Sequence, residues 1–226
     1  TRCVALAARR QLPNASRADL KIPPVAHTER FYELRALGVD ALAAMLSDRD
    51  RSKARLAAIV LGRGFSASEA GRAVHRVLTL GPDEAKRCAA VAAGLLGLEE
   101  AIPSLAGLLV SGDAAARADA AVALGRIGTP AAWAALARCA DVERDPVVRS
   151  CALKGLAAWQ DRRASYLMRQ ALKNKNPPVV RACGAIVAGL AQETLLIDDL
   201  YDIVSIGRDA ESEIVRERAA WALGLM

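Results

Sequence analysis

The stretch Arg117–Leu136, RADAAVALGRIGTPAAWAAL, decides how this chain folds. Segments beginning at Ala54, Lys86, Arg149, Arg181 and Arg216 align beneath the one that begins at Arg117. Eight positions after each start stands a small residue: Gly62, Gly94, Gly125, Ala157, Gly189 and Gly224. The steps between these residues are 32, 31, 32, 32 and 35. Small or apolar pairs recur just before them, at Ala57-Ala58, Ala89-Ala90, Ala120-Ala121, Ala152-Leu153, Gly184-Ala185 and Ala219-Ala220. A period of this length, kept through six segments, is the signature of a repeat array.

Each unit spells two helices. The first carries the small-residue face, which lets helices approach closely and is expected to face the seam with the second helix. The second follows a short turn such as Thr129-Pro130 or Ser66-Ala67-Ser68-Glu69. Thr before Pro supplies a cap and then a residue that lacks an N–H where the helix needs none. Ser66 and Glu69 have capping-box spacing. Ahead of the first helices stand Asp50, Asp83, Asp113, Asp145-Pro146, Asn176-Pro177 and Ser212, read here as their caps.

Asp113, Arg117, Ala120, Ala121, Leu124, Gly125 and Gly128 resemble the HEAT-like repeat family, in particular the short repeats named after phycobilisome lyases. Asp145, Val148 and Arg149, and Val180, Arg181 and Gly189, match the same pattern in part. The resemblance spans residues 26–226. It implies an all-α fold, an α-solenoid of about six HEAT-like helix pairs in a right-handed superhelix. It also implies an interaction scaffold, since only a few members of that family are enzymes. Residues 1–25 depart from the repeat and form either an N-terminal cap or the tail of a preceding unit. The array runs over 26–226 and is expected to be cut within its last repeat, where a first helix over 213–226 lacks its second. Trp221, Leu223 and Leu225 would then be uncovered and would favour self-association.

Apolar residues make up 53 % of the chain and aromatic residues 4 %, so alanine and leucine must do the packing. Lys and Arg number 31 against 25 Asp and Glu, a surplus of +6 that inclines the surface only mildly towards acidic partners. No apolar run approaches membrane-spanning length, and no secretory signal is visible. Cys88, Cys151 and Cys183 share one column of the repeat, at a helix spacing too wide for a disulfide. No pairing is expected among them or with Cys3 and Cys139, and unpaired thiols favour a cytoplasmic location.

The chain offers little for chemistry. His27 and His75 lack partners with metal-ligand spacing, and no Cys-x-x-Cys motif is present. No catalytic residue, cofactor or metal is expected. The paired His-Glu motifs of the HEAT-like lysine hydroxylase are missing. HEAT-like alkylpurine DNA glycosylases set an acid among aromatics on a basic face. Here Trp133, Arg138 and Asp141 are the closest approach to that, and core packing is the plainer reading of the tryptophan. The column Arg117, Arg149, Arg181 and Arg216 reads as a structural ladder that bonds loop carboxylates and carbonyls between repeats.

The second helix over 161–174 has a core face of Ala164, Leu167, Met168 and Ala171. Opposite it run Arg162, Tyr166, Arg169 and Lys173. The next second helix presents Asp198, Tyr201, Asp202 and Ser205. A basic ridge beside an acidic one repels a phosphate backbone and suits a protein of complementary charge. The two ridges could instead only pair with each other. The expected function is a non-catalytic scaffold that binds a protein partner on a concave face lined by the second helices. The alternative is a nucleic-acid-binding, glycosylase-like protein.

Overall fold

The computed structural model describes residues 29–157, 162–173, 176–206 and 210–226. Every regular element among them is helical. First helices are α1 (Glu29–Ala36), α3 (Arg51–Gly64), α5 (Asp83–Leu96), α7 (Ala114–Ile127), α9 (Pro146–Gly155), α11 (Pro178–Leu190) and α13 (Ala210–Leu225). Second helices are α2 (Val39–Met45), α4 (Ala67–Leu80), α6 (Ile102–Leu108), α8 (Pro130–Val142), α10 (Arg162–Leu172) and α12 (Ile197–Ile206). Short 3₁₀ turns, Glu99–Ala101 and Thr194–Leu196, lead into α6 and α12. Contacts join successive units in two layers, and each second helix also rests on the next first helix. This is an all-α solenoid of six pairs and a further first helix. Residues 1–25, with Cys3, and also His27, Trp159, Asn174 and Lys175 lie outside the described residues.

The caps follow the expected chemistry. Asp50 accepts from the backbone N–H of Ser52 at 2.9 Å, Asp113 from that of Ala115 at 3.0 Å, and Asp145 from that of Val147 at 2.9 Å. Thr129 accepts from the N–H of Ala132 at 3.4 Å, and the Glu69 carboxylate takes the N–H of Ser66 at 2.7 Å. Three expected caps are corrected. Asp83 is the first residue of α5, with Pro82 at the cap position, and Ser212 falls inside α13. Asn176 serves the preceding helix instead: its Nδ2 donates to the carbonyls of Gln170 and Ala171, closing the end of α10. Gly97 and Gly128 take φ values of 68° and 63° to turn the chain after α5 and α7, and Gln192 takes 51° in the matching turn after α11.

The small-residue column works between first helices rather than between the two helices of a unit. A Cβ on Gly94 would meet the Cα of Ala123 at 2.7 Å, one on Gly125 the Cα of Gly155 at 2.7 Å, and one on Gly189 the Cα of Ala222 at 2.7 Å. Backbone thus touches backbone along the first-helix layer. Successive second helices touch far less.

Candidate protein-binding surface

The helix α10 is sorted by its sequence period. Ala164, Leu167, Met168 and Ala171 are at most 3 % exposed and join the core. Arg162, Tyr166, Arg169 and Lys173 all face solvent, with Tyr166 56 % exposed. On α12, Leu200 is buried, whereas Asp198, Tyr201 and Asp202 are exposed, Tyr201 by 64 %. Six of the seven expected contact residues therefore lie on the outward faces of α10 and α12, and Lys173 is exposed just beyond the end of α10.

The two ridges also pair. Arg169 Nε donates to Asp199 Oδ2 at 3.0 Å, and its Nη2 donates to the carbonyl of Leu195 at 2.5 Å. Asp199 was not among the expected residues. It lies one position from Asp198 and turns towards α10, a rotation that the period leaves undetermined by one residue. Ser165 and Glu193 add a hydrogen bond across the same pair of units. Arg169 is thereby held in place, while Tyr166 and Tyr201 keep open ring surface.

Further along the second-helix layer the structure adds residues that the sequence reading missed. Leu80, Val110 and Val142 are 77 %, 84 % and 76 % exposed at or just beyond the C-terminal ends of α4, α6 and α8. Val110 and Val142 rim a groove of about 360 Å³ whose polar groups include Arg138, Asp141 and Arg163. An apolar residue at the end of three successive second helices, repeated at 30 and 32 residues, is the signal that was available. Arg138 and Asp141 come together in this groove. Trp133 does not line it and instead rests half-buried against the core. On α13, Trp221 is 44 % exposed, whereas Leu223 and Leu225, also expected to be uncovered, are partly buried and Leu223 packs against the core; Ile214, outside that expected set, is 58 % exposed.

Arg117, Arg149 and Arg181 of the arginine column form a ladder. Arg117 forks onto Glu143, with Nε 2.8 Å and Nη2 3.2 Å from the two carboxylate oxygens, and its Nη1 donates to the carbonyl of Ser111 at 3.0 Å. Arg149 donates to the carbonyl of Ala140 at 3.0 Å and to Asn176 Oδ1 at 2.9 Å, and Arg181 donates to the carbonyl of Leu172 at 3.3 Å. Each rung satisfies carbonyls left open at the end of the preceding second helix or in the loop beyond it. Burial alone would raise the Glu143 carboxyl, but the Arg117 hydrogen bond and the N–H of Asp145 hold it below the usual carboxylate range.

The thiols are suited to packing rather than attack. Cys88, Cys139, Cys151 and Cys183 are free. Burial, and then the Glu143 charge, pushes the Cys139 thiol up to about 11, and burial likewise raises Cys88 and Cys151. Among the described residues, no group of three His, Cys, Asp or Glu side chains could hold a metal ion. No helix among them is long and apolar enough to cross a membrane.

Comparison with known proteins places this geometry. A family model for HEAT repeats matches residues 76–154. Among solved structures, the crystal structure of an engineered protein, a Northeast Structural Genomics Consortium target, is similar at 18 % identity and a TM-score of 0.49, over 81 % of this chain and 97 % of that one. No curated protein matches this chain in sequence. The matched residues, from the end of α4 to α9, are similar to HEAT repeats, and the helix pairs on either side repeat the same two-layer stacking, consistent with an all-α solenoid of such repeats.

Proposed function

We propose that this protein is a non-catalytic scaffold that binds a protein partner through the outward surface of its second helices. HEAT repeats as a class mediate protein–protein interaction, and the finer reading concerns where contact is made here. The observation that carries it is the row of exposed apolar and aromatic side chains on that layer: Leu80, Val110 and Val142, then Tyr166 and Tyr201. Aromatic rings held on rigid helices give large contact area at small entropic cost, and they dominate binding energy at interfaces. Arg162, Lys173, Asp198 and Asp202 surround the two tyrosines with both signs of charge, which suits a rim that selects its partner.

The test is affinity capture with the chain as bait, with and without nuclease, repeated with Tyr166→Ala and Tyr201→Ala combined. The expected result is nuclease-resistant capture of a defined protein, lost in the double variant. Unchanged capture by the variant would remove this surface from consideration. Capture that vanishes with nuclease, together with affinity that falls steeply with salt, would instead support the nucleic-acid-binding, glycosylase-like alternative.

A further inference from the structure

On the first-helix layer, the outward faces of α3, α5 and α7 enclose a pocket of about 160 Å³. Arg55 and Arg63, two turns apart on α3, reach it together with Arg126 from α7. The rest of the lining is Ile59, Val91, Leu95 and Val122, with Asp119 as its one acid. That acid is already shared: Asp119 Oδ2 lies 3.2 Å from Arg87 Nε, and Oδ1 lies 3.7 Å from Arg55 Nη1. Arg63 gains nothing from it, and its Nε is buried with no acceptor. Arg126 sits at the rim, exposed as a whole residue, yet its surroundings desolvate the guanidinium. That burial first, and then the charges of Arg63 and Arg55, lower its pKa.

The pocket therefore gathers like charge on an apolar floor, an arrangement that an anion relieves. Its register says which kind of anion. Arg63, Leu95 and Arg126 occupy one column of the repeat, and Ile59, Val91 and Val122 occupy the column beside it. In later units these columns continue as Ala158, Leu190 and Leu225, and as Lys154, Ile186 and Trp221. The cations are local and alternate with aliphatic groups. A phosphodiester backbone needs cations that continue along its path. A carboxylate followed by an aliphatic side chain matches both columns.

We propose that this pocket binds a Glu or Asp side chain of an acidic peptide segment from a protein partner. Arg63 and Arg126 take the carboxylate, and a neighbouring aliphatic side chain of the peptide rests on Ile59 and Val122. This assignment concerns the opposite layer from the tyrosines and does not rest on them.

The experiment measures fluorescence anisotropy with a labelled short peptide of Glu, Leu and Ala, its counterpart with Gln for Glu, and a short oligothymidylate. The parent protein should bind the Glu peptide at least about tenfold more tightly than the Gln peptide, and more tightly than the oligonucleotide. Combined Arg63→Gln and Arg126→Gln should lose about tenfold or more while the melting temperature holds, because mutual repulsion is removed with the charges. Tyr166→Ala should bind the peptide as the parent does. Equal affinity for the Glu and Gln peptides, tighter binding of the oligonucleotide, or undiminished binding by a folded double variant would each overturn the proposal. The peptide comparison is made on the parent protein and stands even if a variant fails to fold.

Discussion

At the scale of single residues, one column carries two opposite expectations. Gly125 and Gly224 align in the repeat, yet a Cβ on Gly125 would meet the Cα of Gly155 at 2.7 Å, whereas one on Gly224 meets nothing within 4 Å. Backbone cannot move aside as a flexible side-chain end can. Gly125→Leu is therefore expected to destabilise the fold by about 3 kcal/mol or more. Gly224→Ala should be neutral or stabilise by up to about 1 kcal/mol, since alanine is the better helix former. Thermal melts of the two variants check both signs, and a neutral Gly125→Leu would refute the backbone contact. The column itself was legible from residue types alone. Its use was not, because small residues announce close approach without naming the partner. That is why an intra-unit seam was expected and a seam between first helices was found. Gly155 has the same explanation: it stands two positions before the aligned Ala157, outside the column, yet it provides the surface that Gly125 meets.

At the scale of elements, the arginine ladder fastens unit to unit. The sequence displayed the donors at one spacing and left the acceptors hidden, since Glu143 and Asn176 lie in loops whose composition varies. The two occupy equivalent places, after α8 and after α10, and receive Arg117 and Arg149 respectively. The Glu143 rung is ionic and nearly dry, the Glu143 side chain being 10 % exposed and that of Arg117 17 %. Its carboxyl is held below the unperturbed value of 4.5. A lowered folded-state pKa means that the stabilisation is present above the unfolded value and is lost as pH falls through the folded one. Denaturant unfolding should therefore show stability declining as pH drops below about 4.5. In Glu143→Gln that decline should be shallower, on a lower plateau at neutral pH. Parallel pH profiles for parent and variant would show that the rung contributes nothing through its charge. The same limit on sequence reading applies to the pocket on the first-helix layer. Arg63 and Arg126 share one column but stand two units apart, and the column does not say that side chains so separated reach a common pocket.

At the scale of the molecule, the described residues divide the core into two clusters. One large cluster runs from Phe31 on α1 to Val180 on α11, and a much smaller one runs from Ala164 on α10 to Ala222 on α13. The helix α10 serves both, giving Leu167 and Ala171 to the first and Ala164, Met168 and Leu172 to the second. Nothing in the repeat pattern foretold this division, since the period passes through it unchanged. What differs is α9, which ends at Gly155, while the equivalent α7 and α11 continue to Ile127 and Leu190. A shorter first helix has less side to offer its neighbours, and the contact from α9 to α11 is weaker than the contact from α7 to α9. Stability in a solenoid is close to a sum of unit and neighbour terms, so a weak neighbour term lets the array open in blocks. The block built on less buried apolar surface should open first, because burial supplies most of its stability. Hydrogen exchange under native conditions should accordingly show two classes of protected amides. Those of α11 and α13 should exchange through an opening of lower free energy than those of α3, α5 and α7. Mild denaturant should collapse the first class while the second persists. A single shared opening energy across all five helices would show that α10 couples the clusters fully, and the array would then unfold as one unit despite its divided core.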